Sequence, residues 1–326
     1  MLLVTVLFLY GSALVVAKLP RKVFYDIDQA EILFEQFIQT HDKQYADDTE
    51  KAMRLATFKQ NLHVANKKNV IQQHATFGIT QFMDLTLEEF QQKLTCFNNL
   101  TVGNDCTKAS YKKTSTAPDS FDWRDKNGVT RVKVQGACGS CWAFSTIGNV
   151  ESVYAIKHEQ QIELSEQQLV DCNTENQGCN GGFMSVALRY LSTKGAMSEQ
   201  DYPYSAQTGN CKYDEKQVKV KVSDCKDYSD TTEDKLKDVL VNIAPLSMAL
   251  DGSDLQAYTG GILTCNSNTI NHGVLLVGYG TDNDQPFWTF KNSWGESFGE
   301  KGYFRIQRGV NACGILNDQI VSAVVE

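Results

Sequence analysis

The chain has 326 residues, of which 42% are apolar, enough for two or three compact units and too much for a disordered chain. Its formal charge of −8 comes without a basic cluster, which argues against nucleic acid as a partner. Ten cysteines behind a secretory-type leader point to an oxidising compartment and disulfides, and no metal or cofactor motif stands out beyond one Cys-x-x-Cys.

Residues 1–17 carry no charge and run apolar through Leu2–Leu9 and Ala13–Ala17, as a secretory signal does. A basic start is missing, which leaves an uncleaved anchor open. The run is nevertheless shorter than the ~20 residues of a membrane span and is interrupted at Gly11-Ser12. No later stretch is apolar enough to cross a bilayer. Residues 18–117 are then nearly balanced in charge, with 13 basic and 12 acidic side chains, whereas residues 118–326 have 18 and 27.

A first helix is expected over 31–39. A longer one follows, with Glu50, Arg54, Phe58, Asn61, Ala65 and Asn69 along one face. Gly78, Thr80, Phe82 and Asp84 suggest a short strand, and Thr86-Leu87-Glu88-Glu89 is a capping box opening a third helix through Leu94. Residues 98–117 are polar, like an exposed linker, and hold the glycosylation sequon at Asn99. Beyond Pro118 helices come first. One begins at Cys141 with a stripe of Ala143, Phe144, Ile147, Val150 and Tyr154, one is capped by Ser165, and one runs from Gly182 to Lys194. Strands follow at 218–222, 273–280, 287–292, 303–307 and 320–325. Helices before strands imply an α+β arrangement of two subdomains.

Gln135–Ser145 reads QGACGSCWAFS and places Cys141 at a helix start, where unpaired N–H groups favour a thiolate. Cys138-Gly139-Ser140-Cys141 alone also fits a redox pair or half a zinc site. Only two histidines follow residue 118: His158, in a charged stretch and read as a solvated surface residue, and His272. His272 lies 131 residues beyond Cys141 and Asn292 lies 151 beyond it.

Cys-Gly-Ser-Cys-Trp with a histidine and an asparagine ~130–150 residues downstream resembles the papain-like cysteine proteases. The helix from Glu50 to Asn69 and the Gly78–Asp84 motif resemble the propeptide of the cathepsin L-like branch, with Ala65 and Thr80 as departures. The stretches AIKHEQQIELSEQQ, EDKLKDVL and PFWTFKNSWG look closest to viral cathepsins of baculoviruses, while an insect digestive or lysosomal cathepsin reads almost the same.

The resemblance implies a helical and a β-barrel-like subdomain with a cleft between them. A signal at 1–17, an inhibitory propeptide over 18–117 and a peptidase domain over 118–326 are expected. It implies Cys141 as nucleophile, His272 as its proton partner, Asn292 as orienting group and Gln135 as oxyanion donor. Trp294 shields the His272–Asn292 bond, and Phe298 stands where a second tryptophan is usual. Gly181 and Gly182 would line extended substrate. Phe183, Met184, Ile270 and Gly273 form the walls, and Asp318 the floor, of the pocket for the second residue before the cleaved bond. No occluding-loop insertion follows Gly182, which favours endopeptidase action. The implied disulfides are Cys138–Cys179, Cys172–Cys211 and Cys265–Cys313. Cys96 and Cys106 are expected to pair with each other, leaving Cys225 a buried free thiol. Expected partners are polypeptide substrates and the chain's own propeptide, with a monomer routed through the secretory pathway. A disulfide oxidoreductase using Cys138 and Cys141, and a catalytically silent inhibitor, are the alternatives.

Overall fold

The computed structural model describes residues 19–94, 106–110, 117–265, 267 and 269–326. The expected signal at 1–17, Cys96 and the expected glycosylation site Asn99 lie outside them.

The N-terminal unit comprises α1 (Ala30–Thr40), α2 (Asp48–Ile71), β1 (Ala75–Phe77) and α3 (Leu87–Leu94). Asp47 starts α2 by accepting the Glu50 N–H at 2.8 Å, and Glu50 returns a bond from the Ala46 N–H at 2.7 Å. Phe34 and Phe37 of α1 pack on Phe58, with ring centroids 5.3 and 5.2 Å away. The rest of that face of α2 organises the polypeptide after it. Asn61 donates to the carbonyls of Met83 and Leu85, both at 2.8 Å. Asn69 donates to Val23 and Phe77 and accepts the Phe77 N–H, all within 2.9 Å. Arg54 forks onto Glu89 at 2.7 and 2.9 Å, tying α2 to α3. The capping box of α3 closes in both directions between Thr86 and Glu89. The expected strand at Gly78–Asp84 is instead a loop, and the strand lies just before it. Asn69 bonds both backbone groups of Phe77, and one more cross-strand bond, from the Gly78 N–H to the Ala257 carbonyl at 2.8 Å, precedes the loop.

Three helices dominate the first half of the larger unit: α4 (Cys141–His158), α5 (Glu166–Cys172) and α6 (Met184–Lys194). Residues 141–152 of α4 are buried on every side rather than along one stripe. The helix is wedged against α5, α6 and the sheet, and its polar residues find partners in that interior. Ser145 donates to the Val274 carbonyl at 2.6 Å, and Asn149 donates to Pro245 at 2.7 Å and accepts from Ala323 at 2.8 Å.

The strands are β2 (Thr107–Lys108), β3 (Phe121–Asp122), β4 (Ala196–Met197), β5 (Val218–Val220), β6 (Val222–Asp227), β7 (Leu246–Leu250), β8 (Tyr258–Leu263), β9 (His272–Asp282), β10 (Gln285–Lys291), β11 (Tyr303–Gln307) and β12 (Ile320–Val325), with α7 (Glu233–Asn242) packed on β9. Among the described residues the main sheet runs β1-β8-β11-β10-β9-β7-β12-β6-β2, with β3 beside β9 and β4 paired with β5 apart. Segments N-terminal to residue 118 therefore supply both of its outer strands.

The three disulfides Cys138–Cys179, Cys172–Cys211 and Cys265–Cys313 form as expected. The reading of the remaining cysteines needs correction. Cys106 bonds Cys225, so it does not pair with Cys96 and Cys225 is not free. Parallel pairing of β2 with β6 lays Thr107 against Lys226, which brings the two preceding residues side by side.

Candidate active site

Cys141 is the first residue of α4, fully buried, and no side chain caps that helix start. The positive end of the helix dipole thus falls on its sulfur. The Gly273 N–H also points at Sγ, at 3.3 Å. Register explains the approach: β9 pairs with β7 so that His272 opposes Leu250 and Gly273 opposes Ala249, against the end of α4. A Cβ on Gly273 would stand 3.2 Å from the Cys141 carbonyl oxygen, so a side chain there would push strand and helix apart. The Cys141 sulfur is engaged in a disulfide. A thiolate forms only when that bond opens.

His272 is fully buried, and its Nε2 meets Asn292 Oδ1 at 2.9 Å. The same Oδ1 accepts the Ser293 backbone N–H at 2.8 Å, which fixes the orientation of the amide. Nε2 must therefore carry the hydrogen, and in the neutral ring Nδ1 is the basic nitrogen. Nδ1 is buried and has no hydrogen-bond partner among the described residues. Burial pushes the ring down to about 4, with the Asn292 bond opposing it. Trp294 stacks on the imidazole at 4.7 Å. Phe298 meets Trp294 edge-on at 4.8 Å, filling the place where a larger indole was expected.

Gln135 is fully buried and anchored at both ends. Its Oε1 accepts from Ser293 Oγ at 2.6 Å, while its Nε2 donates to the carbonyls of Cys138 at 2.9 Å and Leu94 at 3.2 Å. Leu94 is the last residue of α3, so the N-terminal unit places a peptide carbonyl on this amide. Phe82 and Phe90 of the same unit meet Trp294 edge-on at 5.2 and 5.3 Å. Each such aromatic pair contributes about 0.5–1.5 kcal/mol beyond area burial. Between the two units a cavity of about 400 Å³ remains, lined by His41, Arg54, Asp84, Gly136 and Trp294 among others.

Tyr204 was not singled out by sequence, nor was Ser293. The Tyr204 hydroxyl donates to the Gln135 carbonyl at 2.8 Å and shares a 2.6 Å hydrogen bond with Ser140 Oγ, joining the residue that carries the amide to the one preceding Cys141. No periodicity marks it. Ser293 had a local signal, adjacency to Asn292. Behind the site Lys133 bonds Glu151 and Glu166, both at 2.7 Å, with Lys291 close by. Burial opposes a charged Lys133, but the two carboxylates outweigh it and hold it protonated, while burial pushes Glu166 up to about 7 and Lys291 down to about 8.

Met184 and Ile270 share one apolar cluster with Cys141 and Trp142, and Phe183 is buried beside them in sequence. Asp318 is half-buried, and desolvation raises its carboxyl above the usual range. Its neighbour Gln319 accepts the Ser185 N–H at 3.0 Å, which ties this loop to the start of α6. Gly181 has φ 121°, open to glycine alone, and a Cβ on Gly182 would strike Asn176 at 2.6 Å and Trp142 at 2.8 Å. These glycines are thus required by the protein's own packing, before any substrate.

His158 is exposed at the far end of α4, about 25 Å from Cys141 at 1.5 Å per residue, and bonds the Glu326 carbonyl. Cys138 is bonded to Cys179 and so forms no redox pair with Cys141. Among the described residues no group of His, Cys, Asp or Glu is arranged to hold a metal, and no helix is long and apolar enough to cross a membrane.

Comparison with known proteins agrees with this geometry. Residues 117–323 match the papain family cysteine proteases, and residues 34–90 match the cathepsin propeptide inhibitor domain. The viral cathepsin of Spodoptera litura multicapsid nucleopolyhedrovirus is 42% identical over 316 residues, covering 93% of this chain and 94% of the relative. That of Autographa californica nuclear polyhedrosis virus is 41% identical over 323 residues, 98% of each chain. Among solved structures, digestive procathepsin L 3 of Tenebrio molitor superposes with a TM-score of 0.81 at 36% identity, covering 90% of this chain and 99% of that one. Recombinant stem bromelain precursor gives 0.83 at 34% identity, covering 92% and 100%.

Proposed function

Because this chain belongs to the papain family of cysteine proteases and is made as a zymogen with a cathepsin-type propeptide, we propose that it is a secreted endopeptidase acting through Cys141 and His272. The observation that carries the reading is the His272 Nε2–Asn292 Oδ1 bond of 2.9 Å, which leaves Nδ1 as the ring's proton-exchanging atom, one residue before the Gly273 N–H that meets Cys141 Sγ.

Once an external thiol has opened its disulfide by exchange, itself ending as a disulfide, the Cys141 thiol transfers its proton to His272 Nδ1 and the thiolate attacks the scissile carbonyl carbon. The carbonyl oxygen becomes an oxyanion, held by the Gln135 amide and the Cys141 N–H. Collapse of the intermediate expels the amine, which takes the proton from His272, and leaves a thioester on Cys141. Water, deprotonated by His272, hydrolyses that thioester and regenerates the thiol. Asn292 holds the ring in line throughout, and Trp294 keeps water from the bond between them.

The propeptide spans 18–117 and the mature enzyme 118–326 in this reading. Leu94 supports it, because its carbonyl occupies the oxyanion donor while α3 covers Trp294, so substrate and propeptide exclude each other. The likeness to viral cathepsins at 41–42% identity supports a role in breaking down host tissue proteins. Labelling by a thiol-directed epoxide tests the assignment: Cys141 should react after reduction and propeptide removal and not before. Cys141→Ser should give a folded precursor with no turnover, and normal turnover by it would end the proposal.

A further inference from the structure

The two outer strands of the sheet are held differently. β1 lies on β8 through hydrogen bonds and the buried side chains of Ala75 and Phe77, with no disulfide between the two strands. β2 lies on β6 and is joined to it by Cys106–Cys225, whose two residues are buried and 119 positions apart in sequence. Thr107 and Lys108 pair with Lys226 and Asp227, and the Ala109 N–H donates to the Asp227 carbonyl at 2.9 Å. The Lys108 ammonium stands 3.8 Å from Asp227 and also bonds Asp230. On that side β6 has no other strand neighbour among the described residues. Stripped of residues 106–110, it would present a bare row of N–H and C=O groups to solvent.

Cys106 lies N-terminal to the boundary near Ala117-Pro118, on which this argument rests. Hydrolysis there breaks one peptide bond and leaves the disulfide intact. The inhibitory unit would then stay tethered to its own target. A short flexible tether holds a ligand at an effective concentration of about mM, so dilution would not release it.

We propose that Cys225 and the outer edge of β6 form a covalent docking surface for residues 106–110. The processed enzyme is then a two-chain protein that keeps this segment as its edge strand, and the inhibitory unit leaves through a second cut upstream of Cys106 once the Cys141 disulfide has also been opened.

Processed protein recovered from expressing cells lysed into N-ethylmaleimide tests this by intact mass, denatured, before and after reduction, with N-terminal sequencing. Two N-termini are expected, one near residue 118 and one upstream of Cys106, with the smaller chain lost on reduction and Cys225 unlabelled until then. The Cys106→Ser and Cys225→Ser precursors should each yield processed enzyme without the second chain. A processed chain starting near residue 118 whose Cys225 takes up maleimide unreduced overturns the proposal and leaves the boundary standing. A single chain starting upstream of Cys106 overturns the boundary, and the two-chain form with it.

Discussion

The side-chain amide of Gln135 donates to the backbone carbonyl of Leu94 at 3.2 Å, so a propeptide carbonyl rests on the donor that the proposed mechanism assigns to the oxyanion. Gln135→Ala should lower kcat of the processed enzyme roughly 100- to 1000-fold with little change in KM. It should also weaken inhibition by the propeptide, since both ligands use the same amide. Steady-state kinetics with an unchanged kcat would remove Gln135 from the mechanism.

Tyr204 holds two parts of that same arrangement through one hydroxyl, shared between Ser140 and Gln135. Tyr204→Phe keeps the ring packed on Phe144 and deletes only the hydrogen bonds. The expected loss is about 0.5–1.5 kcal/mol per bond, or roughly 2- to 10-fold in kcat for each of the two, with KM and both limbs of the pH profile unmoved. A rise in KM with constant kcat would show a structural role instead.

Asn69 is buried and bonds three backbone groups of the N-terminal unit. Each of those groups left unpaired costs about 1–3 kcal/mol. The isolated 18–117 segment carrying Asn69→Ala should inhibit mature enzyme at least tenfold less well than wild type. Lys59→Ala removes an exposed pair with Glu31, worth about 0–1 kcal/mol, and should inhibit normally. Equal inhibition by both variants would contradict the packing role of Asn69.

Acid release follows from His272. In the closed form burial holds its ring down to about 4, and if departure of the N-terminal unit exposes the ring it returns toward 6.5. Between those values the open form binds more protons, so the closed form loses stability as pH falls from about 6.5 to about 4. Glu89, held down to about 2 by the Arg54 hydrogen bond, contributes stability that is lost only below about 4.5. His272 therefore sets the first part of the decline. Titrating the 18–117 segment against mature Cys141→Ala, which lacks the thiolate, should show a dissociation constant that rises through that window. A flat response down to pH 4.5 would exclude His272 as a contributor.

Asp318 is expected to sit at the floor of the pocket for the second residue before the cleaved bond, where a basic side chain would relieve its desolvated carboxyl. Pairing of that kind is worth ~1.5–3 kcal/mol, or roughly ten- to hundredfold in discrimination. Wild type should cleave substrates with Phe or Arg at that position, and Asp318→Ala should lose the Arg substrate selectively. Because the carboxyl is raised, the Arg preference should grow as pH increases and Asp318 ionises. An unchanged ratio of kcat/KM values would place Asp318 outside the pocket.

Features set by neighbours in the chain could be read from the residues alone. The capping box at Thr86, the Ser165 cap, the helix start at Cys141 and the spaced face of α2 depend on the helical repeat and on side chains within a few positions of the backbone they bond. The Cys-Gly-Ser-Cys-Trp string, with His272 and Asn292 at their distances, pointed to the chemistry because few functions need that set in that order. What required the tertiary structure was which distant surfaces meet. Cys106 pairs with Cys225 because β2 runs parallel to β6, and an expectation based on nearness in sequence chose Cys96 instead. Residues 141–152 of α4 are buried all round because helices and sheet close on it from every side, although its apolar residues alone suggested one face. Tyr204 reaches Gln135 across 69 positions, and Leu94 reaches it across 41. Hydrogen-bond contacts of that kind follow from the path of the backbone through space, and side-chain spacing along the chain does not encode that path.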